Sequence, residues 1–140
     1  MKTFKEWLLE KWEVSTTGTY AANTKKIGGH DVKTYFDKRF DSRRHAIGFK
    51  VDDEYSKDDL HTYNKPPPTP ENATKIYGHV RKSISSFIRH GKPRGVSFMA
   101  YDGNYHDMYR VLARHIAKKH NGILTVNDRH FNISFPQNDE

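Results

Sequence analysis

The chain has 140 residues, a formal net charge of +7, 34% hydrophobic residues and no cysteine. This length fits one domain, and no apolar run approaches the roughly 18 residues that a membrane span needs. The lack of cysteine excludes a disulfide scaffold, a thiolate metal site and a cysteine nucleophile, and it fits a reducing compartment. The positive charge favours an anionic partner, without specifying which one.

The N-terminus predicts a short amphipathic helix over residues 1–12, because apolar side chains recur there at helical spacing. Residues 13–29 then change to small and polar types and end in two glycines, which is typical of a flexible linker. We therefore expect a separate helix, tethered to the domain that follows. Its apolar face carries Phe4, Trp7, Leu8 and Trp12.

The domain is expected over residues 30–135, followed by a loose tail over 136–140. Two strand-like segments, 30–36 and 45–51, are separated by a polar stretch and predict a hairpin. A second hairpin around Asn127 and Asp128 is expected to close the domain.

Two helices and a strand lie between these hairpins. Thr69 and Pro70 form a good helix start, and the apolar positions that follow trace one face as far as Gly91. The segment 95–101 has apolar groups on both sides and predicts a central strand. A second amphipathic helix follows and ends near Asn121.

The element order is therefore ββ-α-β-α-ββ. It predicts an α/β fold, with α+β as the alternative, in which two helices cover one mixed sheet. The N-terminal helix is expected to stand apart from this sheet.

The two domain helices carry many cations and few acids. A phosphate-facing stripe would explain this excess, and so would a solvated face on a basic protein. No zinc spacing, RNA-binding signature or helix-turn-helix accompanies the cations, so any nucleic-acid contact is expected to be nonspecific. The predicted contact residues are Lys75, Lys82, Arg89, Arg110, Arg114 and Lys118.

The sequence offers little evidence for catalysis. Nine histidines lack metal-ligand spacing, so neither a metal nor another cofactor is expected. Asp102, His106 and Asp107 lie where a strand leads into a helix, a place where α/β sheets bind ligands. We favour the simpler interpretation that Asp102 or Asn104 caps the helix and has no further role. We therefore expect no enzyme.

The first ten residues, Met1-Lys2-Thr3-Phe4-Lys5-Glu6-Trp7-Leu8-Leu9-Glu10, resemble the capsid-targeting leader of internal head proteins in T-even-type bacteriophages. Those leaders open with Met-Lys-Thr-aromatic and end in an aliphatic-x-Glu that the prohead protease cleaves. The resemblance implies cleavage at Leu8-Leu9-Glu10, before Lys11.

A second resemblance covers residues 30–126. The segments 76–88, 93–100 and 109–114 are similar to a small α/β domain common in phage genomes, for which no function can be transferred.

The leader resemblance implies a basic protein packaged in the capsid interior, with the prohead core and its protease as partners. Packaged DNA or another polyanion would be the nonspecific partner, and no membrane is implied. The protein would compensate charge in the head, or be injected into the host cytoplasm to blunt a host defence protein. The alternative is a non-enzymatic virion or infected-cell protein whose N-terminal helix docks on a protein partner.

Overall fold

The computed structural model of the chain describes residues 3–15, 20–38, 44–51, 69–99 and 106–138. Three α-helices, one short 3-10 helix (Pro136–Asn138) and seven strands lie in these parts. The α-helices are α1 (Phe4–Lys11), α2 (Pro70–Gly91) and α3 (His106–Lys119). The strands are β1 (Glu13–Val14), β2 (Tyr20–Ile27), β3 (His30–Lys38), β4 (Arg44–Val51), β5 (Gly95–Met99), β6 (Ile123–Asn127) and β7 (His130–Ser134).

The strands form one mixed sheet in the order β1-β2-β3-β4-β5-β7-β6. Strands β4 and β5 are parallel, and the other neighbouring pairs are antiparallel. The predicted α/β fold is therefore confirmed, and β5 is central as expected, since it lies between β4 and β7.

Within the predicted linker over 13–29, the described residues form two strands and a turn and not the flexible segment that the composition predicted. Strand β2 pairs with β3 along its whole length, from Tyr20 opposite Asp37 to Ile27 opposite His30. Gly28 and Gly29 both have positive φ, 56° and 82°, as a two-residue hairpin turn with a right-handed twist requires. Small residues therefore mark a strand and a tight turn here.

Helix α1 packs on the domain, whereas the sequence predicted a separate element. It begins at its cap Thr3, whose side chain accepts a hydrogen bond from the amide of Glu6. Trp12, which follows the helix, is 6% exposed and meets Phe36 and Phe87 edge to face. The residues after the helix therefore anchor it to the core.

Helix α2 begins as predicted, because the side chain of Thr69 accepts from the amide of Asn72 and Pro70 takes the first helical position. The C-terminal end of α2 differs from the prediction in one respect. Lys92, and not a glycine, adopts the left-handed conformation with φ of 45° and donates its amide to the carbonyl of Ile88.

The core lies between one face of the sheet and the three helices. Val32, Thr34 and Phe36 alternate along β3 and are buried on this face, and Phe36 stacks on Phe87 of α2. Tyr109 of α3 packs against aromatic rings of β4 and β5 on the same side. All three helices therefore cover the same face of the sheet.

The C-terminal hairpin is confirmed as β6 and β7, with Asp128 at a φ of 56° in its turn. The first residues of the expected loose tail are anchored instead. Gln137 donates its amide to the carbonyl of His120 at 2.8 Å, and Asn138 donates to the carbonyl of Pro93 at 2.9 Å. These two side chains hold residues 136–138 against the ends of α3 and α2.

Candidate nucleic-acid interface

Helices α2 and α3 lie side by side and run in the same direction. Arg81 contacts His115 and, one turn further along both helices, Ser85 contacts His120. The apolar faces of both helices point to the sheet. Their opposite faces therefore form one continuous outer surface, which we call the helical surface.

The six predicted contact residues all lie on this helical surface. Each of them is exposed. Three recur every seven residues along α2, which is close to two helical turns, and three recur every four along α3. The α2 row spans roughly 21 Å at 1.5 Å per residue. The residues are Lys75, Lys82 and Arg89 on α2, and Arg110, Arg114 and Lys118 on α3.

Nearly all of the net charge of the chain lies on these two helices. They contain eight lysines and arginines and two acids, which leaves +6 out of the +7 of the whole chain. Besides the six predicted contact residues, the eight cations include Arg81 on α2 and Lys119 on α3. The charge is thus concentrated on one side of the sheet.

The two acids neutralise one cation each. Glu71 lies 3.5 Å from Lys75, and Asp107 lies 3.3 Å from Arg110. Both pairs are exposed, so each stabilises its helix by a few tenths of a kcal/mol at most. Among the described residues, no acid forms an ion pair with the other four predicted contact residues: Lys82, Arg89, Arg114 and Lys118.

The seam between the helices shows the effect of this charge. Arg81 Nη1 donates to Nε2 of His115 at 3.1 Å, so this histidine is held as a neutral acceptor. Burial, together with the charges of Arg81, Lys119 and Lys118, lowers the pKa of His115.

The pKa of His120, the second histidine of the seam, is also lowered. Burial, followed by the charges of Lys119 and Arg89, lowers its pKa, and Nε2 shares a 2.8 Å hydrogen bond with Ser85 Oγ. The positive potential of the helical surface therefore disfavours further positive charge at both seam histidines.

The predicted docking residues of α1 turn towards their own domain. Trp7 stacks on His90 of α2, Leu8 is half-buried against the core, and Trp12 is buried in it. The side chain of Phe4 lies outside the described residues. A protein partner that bound this face would have to displace α1 from the domain.

The predicted cleavage site lies in the last turn of α1. Leu8 is half-buried and Glu10 is exposed, while the side chain of Lys11 lies outside the described residues. The bond between Glu10 and Lys11 is part of the helix. Proteases bind extended chain, so cleavage here requires that the end of α1 open locally.

Two of the three predicted acid–base candidates, Asp102 and the side chain of His106, lie outside the described residues. Asp107 is exposed and pairs with Arg110. The described ranges also contain no group of three His, Cys, Asp or Glu that is able to hold a metal ion. In the same ranges, no helix combines the length and apolarity that crossing a membrane demands.

No protein-family profile matches the chain, and no curated protein matches it in sequence. Among solved structures, a cAMP-binding acyltransferase from Mycobacterium smegmatis is similar over 98% of this chain and 55% of that one, with 10% identity and a TM-score of 0.34. The chain thus spans about half the length of that structure. A TM-score this low carries no argument about this chain.

Sequence reasoning missed a second cluster of surface side chains, on the opposite face of the sheet. Tyr20 and Tyr35 stack there with Lys33 and Lys50 close to their rings. The signal was present in the hairpin glycines, because a Gly28-Gly29 turn places Tyr20 on the strand next to Tyr35.

Proposed function

We propose that this protein binds nucleic acid without sequence preference, through contacts between the helical surface and the phosphate backbone. The observation that carries this proposal is the charge of α2 and α3, which hold +6 of the net +7 on one side of the sheet. Exposed lysine and arginine rows supply the phosphate contacts that dominate nonspecific binding.

The helix dipole accounts for only part of this charge. Cations in the last turn of a helix are stabilised by its negative end, which explains Arg89 and Lys118. Lys82 and Arg114 lie in the interior of their helices, where the dipole gives no such stabilisation. A phosphate partner provides a reason for the charge along the whole row.

The test is the salt dependence of binding to a fluorescent 20-base-pair DNA duplex, measured by anisotropy. Each phosphate contact contributes about −0.9 to the slope of log affinity against log salt. We expect Lys82→Gln and Arg114→Gln each to weaken binding and to reduce this slope by about one. The matched control is Lys26→Gln, which removes the same charge from an exposed strand position on the other side of the sheet.

Two results would contradict the proposal. The first is binding that does not change with salt. The second is an equal loss of affinity in Lys26→Gln and in the two helical variants, because the duplex would then respond to total charge and not to the helical surface.

We further propose that the nucleic acid is DNA packaged in a phage head, where the protein compensates charge or from which it is injected against a host defence. The resemblance of residues 1–10 to the capsid-targeting leader supports this setting. Cleavage after Glu10 would remove two lysines and two glutamates and leave the net charge at +7. It would also leave Trp12, the buried residue, with the domain.

Intact-mass spectrometry of protein from purified virions tests this setting. We expect the mass of residues 11–140. A full-length mass, or absence of the protein from the particle, would contradict processing and packaging. The duplex-binding proposal would then stand on its own.

A docking role for α1 is the second candidate, and its apolar face supplies the observation. Since Trp7 and Trp12 are engaged within the chain, a partner must compete with His90 and the core. Loss of one defined complex on Trp7→Ala, with packaging unchanged, would favour this role.

A further inference from the structure

The face of the sheet turned away from the helices carries a group of planar and basic side chains, which we call the open face. Residues alternate between the two faces of a strand, so the neighbours of the buried Val32, Thr34 and Phe36 point to this side. In the described parts of the chain, all three helices pack on the other face. The open face includes Tyr20, Lys26, Lys33, Tyr35, Arg44, Lys50, Ser97 and Asn132.

Two tyrosines on neighbouring strands form the aromatic part of the open face. The rings of Tyr20 and Tyr35 are 6.2 Å apart between centroids and within 20° of parallel. Tyr35 lies across Gly48 on β4, where an added Cβ would come within 2.4 Å of the tyrosine hydroxyl oxygen. The glycine therefore lets the ring lie close to the sheet, with both tyrosines half-buried.

Each tyrosine has an ammonium group near its ring. Lys33 Nζ lies 5.8 Å from the centroid of Tyr20, and Lys50 Nζ lies 5.6 Å from the centroid of Tyr35. Lys33 and Lys50 are opposite each other in the register of β3 and β4. Both lysines are thus placed to contact an anionic group attached to whatever stacks on the tyrosines.

A third planar group lies further across the sheet. The guanidinium of Arg44 approaches Gly95 so closely that a Cβ there would come within 2.7 Å of Nη1. Its Nη2 donates to Ser134 Oγ at 3.4 Å. Next to Arg44, on the strands farther from the tyrosines, the short polar side chains of Ser97 on β5 and Asn132 on β7 lie directly opposite each other.

We propose that the open face binds single-stranded nucleic acid, with unpaired bases stacked on Tyr20 and Tyr35 and phosphates contacted by Lys33, Lys50 and Arg44. Stacking on aromatic side chains, combined with nearby cations, is how sheet surfaces bind single strands. A paired duplex hides its base faces and has nothing to place on the tyrosines.

The charge of the open face is the reason to favour stacking over simple polyanion binding. Asp31 and Asp37 flank Lys33 and Tyr35 on the open side of β3 and weaken the attraction for a general polyanion. The helical surface has no such interruption by acids at its centre. This proposal does not rest on the duplex-binding proposal, since it uses the opposite face of the sheet.

The experiment compares a fluorescent 20-nucleotide oligothymidine with a 20-base-pair duplex by anisotropy. Loss of one base stack costs roughly five- to 150-fold in affinity. We expect Tyr20→Leu and Tyr35→Leu each to weaken single-strand binding by a factor within that range. Neither variant should change duplex binding. Tyr20→Phe and Tyr35→Phe keep the rings and should bind like the parent protein.

Two further variants keep the test decisive if a leucine variant folds poorly. Gly48→Ala displaces the ring of Tyr35 without changing the tyrosine and should also weaken single-strand binding. Lys33→Gln should weaken it as well, whereas Lys25→Gln should not, because Lys25 is exposed on the helix side of β2. Circular dichroism of each variant verifies the fold.

The outcomes separate the two binding proposals. The single-strand proposal is overturned if the parent protein does not bind the single strand, or if the two leucine variants and Gly48→Ala bind it normally. Equal losses for single strand and duplex in those variants would also overturn it, since one shared surface would then serve both. Loss of duplex binding alone in Lys82→Gln and Arg114→Gln would support separate faces.

Discussion

The indole of Trp7 lies flat on the imidazole of His90, with 4.3 Å between ring centroids and 8° between ring planes. Nδ1 of His90 donates to the carbonyl of Ser86 at 2.8 Å, which fixes the orientation of the imidazole. This stack joins α1 to the last turn of α2, and Trp12 joins the same helix to the core. The N-terminal helix is therefore held at two points.

Replacing each tryptophan in turn should show how much each contact contributes to the free energy of unfolding. Trp7→Ala removes a half-exposed stack and should lower the free energy of unfolding by about 1 kcal/mol. Trp12→Ala leaves a cavity among Phe36 and Phe87 and should cost about 3–5 kcal/mol. Chemical denaturation followed by circular dichroism measures both.

Hydrogen exchange adds a local measurement. Amides of α1 should exchange faster in Trp7→Ala while those of β3 remain protected. Leu9→Ala is the control, because Leu9 is 58% exposed and should change neither value. Unchanged exchange in Trp7→Ala would mean that Trp12 alone holds the helix.

The sequence predicted elements well where a local pattern determines them. The cap at Thr69 and the apolar face up to Gly91 specify α2, and alternation specifies the hairpin of β3 and β4. It failed over 13–29 because Ala21 and Ala22 have little side chain to reveal a strand. Their burial arises from pairing with β3, which local composition does not encode.

Two glycines outside the hairpin turns should respond to alanine in opposite directions. At Gly78 in α2 an added Cβ meets nothing within 4 Å, so Gly78→Ala should stabilise the protein by about 0.5–1 kcal/mol through helix propensity. At Gly122 the added Cβ would lie 2.5 Å from Ile133 Cγ2 and 2.9 Å from Phe135 Cε1. Gly122→Ala should therefore cost about 1–3 kcal/mol.

Thermal unfolding of the two alanine variants checks this prediction. Destabilisation by Gly78→Ala would indicate that a part of the chain outside the described residues packs against that side of α2.

His79 should make stability fall as the solution becomes acidic. Burial, and then the charge of Lys25, lowers its pKa, and its Nε2 has no hydrogen-bond partner among the described residues. The unfolded chain then binds a proton near pH 6.5 that the folded chain does not. The free energy of unfolding should therefore decrease as the pH falls from about 6.5 towards the lower pKa of the folded state. Above about pH 6.5 this contribution should be fully present.

NMR titration of the imidazole carbon-bound protons tests the cause. Lys25→Gln removes a repulsive charge and should raise the pKa of His79, whereas Lys26→Gln, on the other face of β2, should not change it. An equal response to both variants would assign the effect to total charge. His115 and His120 should strengthen the acid sensitivity, because burial lowers the pKa of each.

The two candidate surfaces differ in how far the sequence reveals them. Spacing within one helix is enough to predict that Arg114 and Lys118 share an exposed face. The stack of Tyr20 on Tyr35 depends on the register between two strands, and the room for Tyr35 depends on Gly48 in a third strand. The first relationship can be deduced from the sequence only if Gly28-Gly29 is recognised as a hairpin turn, and the second needs the paired sheet.

Truncation at the predicted cleavage point should leave a folded domain, and truncation two residues further should not leave an equally stable one. A chain starting at Lys11 loses the Trp7 stack and the core contacts of the half-buried Leu8 but keeps Trp12, so its unfolding free energy should fall by about 2 kcal/mol. A chain starting at Glu13 also loses Trp12 and should lose about 3–5 kcal/mol more. Thermal and denaturant unfolding of both chains measures the difference. If the first truncation were as damaging as the second, α1 would be an integral part of the domain. Release of residues 1–10 would then unfold the protein that the leader is meant to deliver.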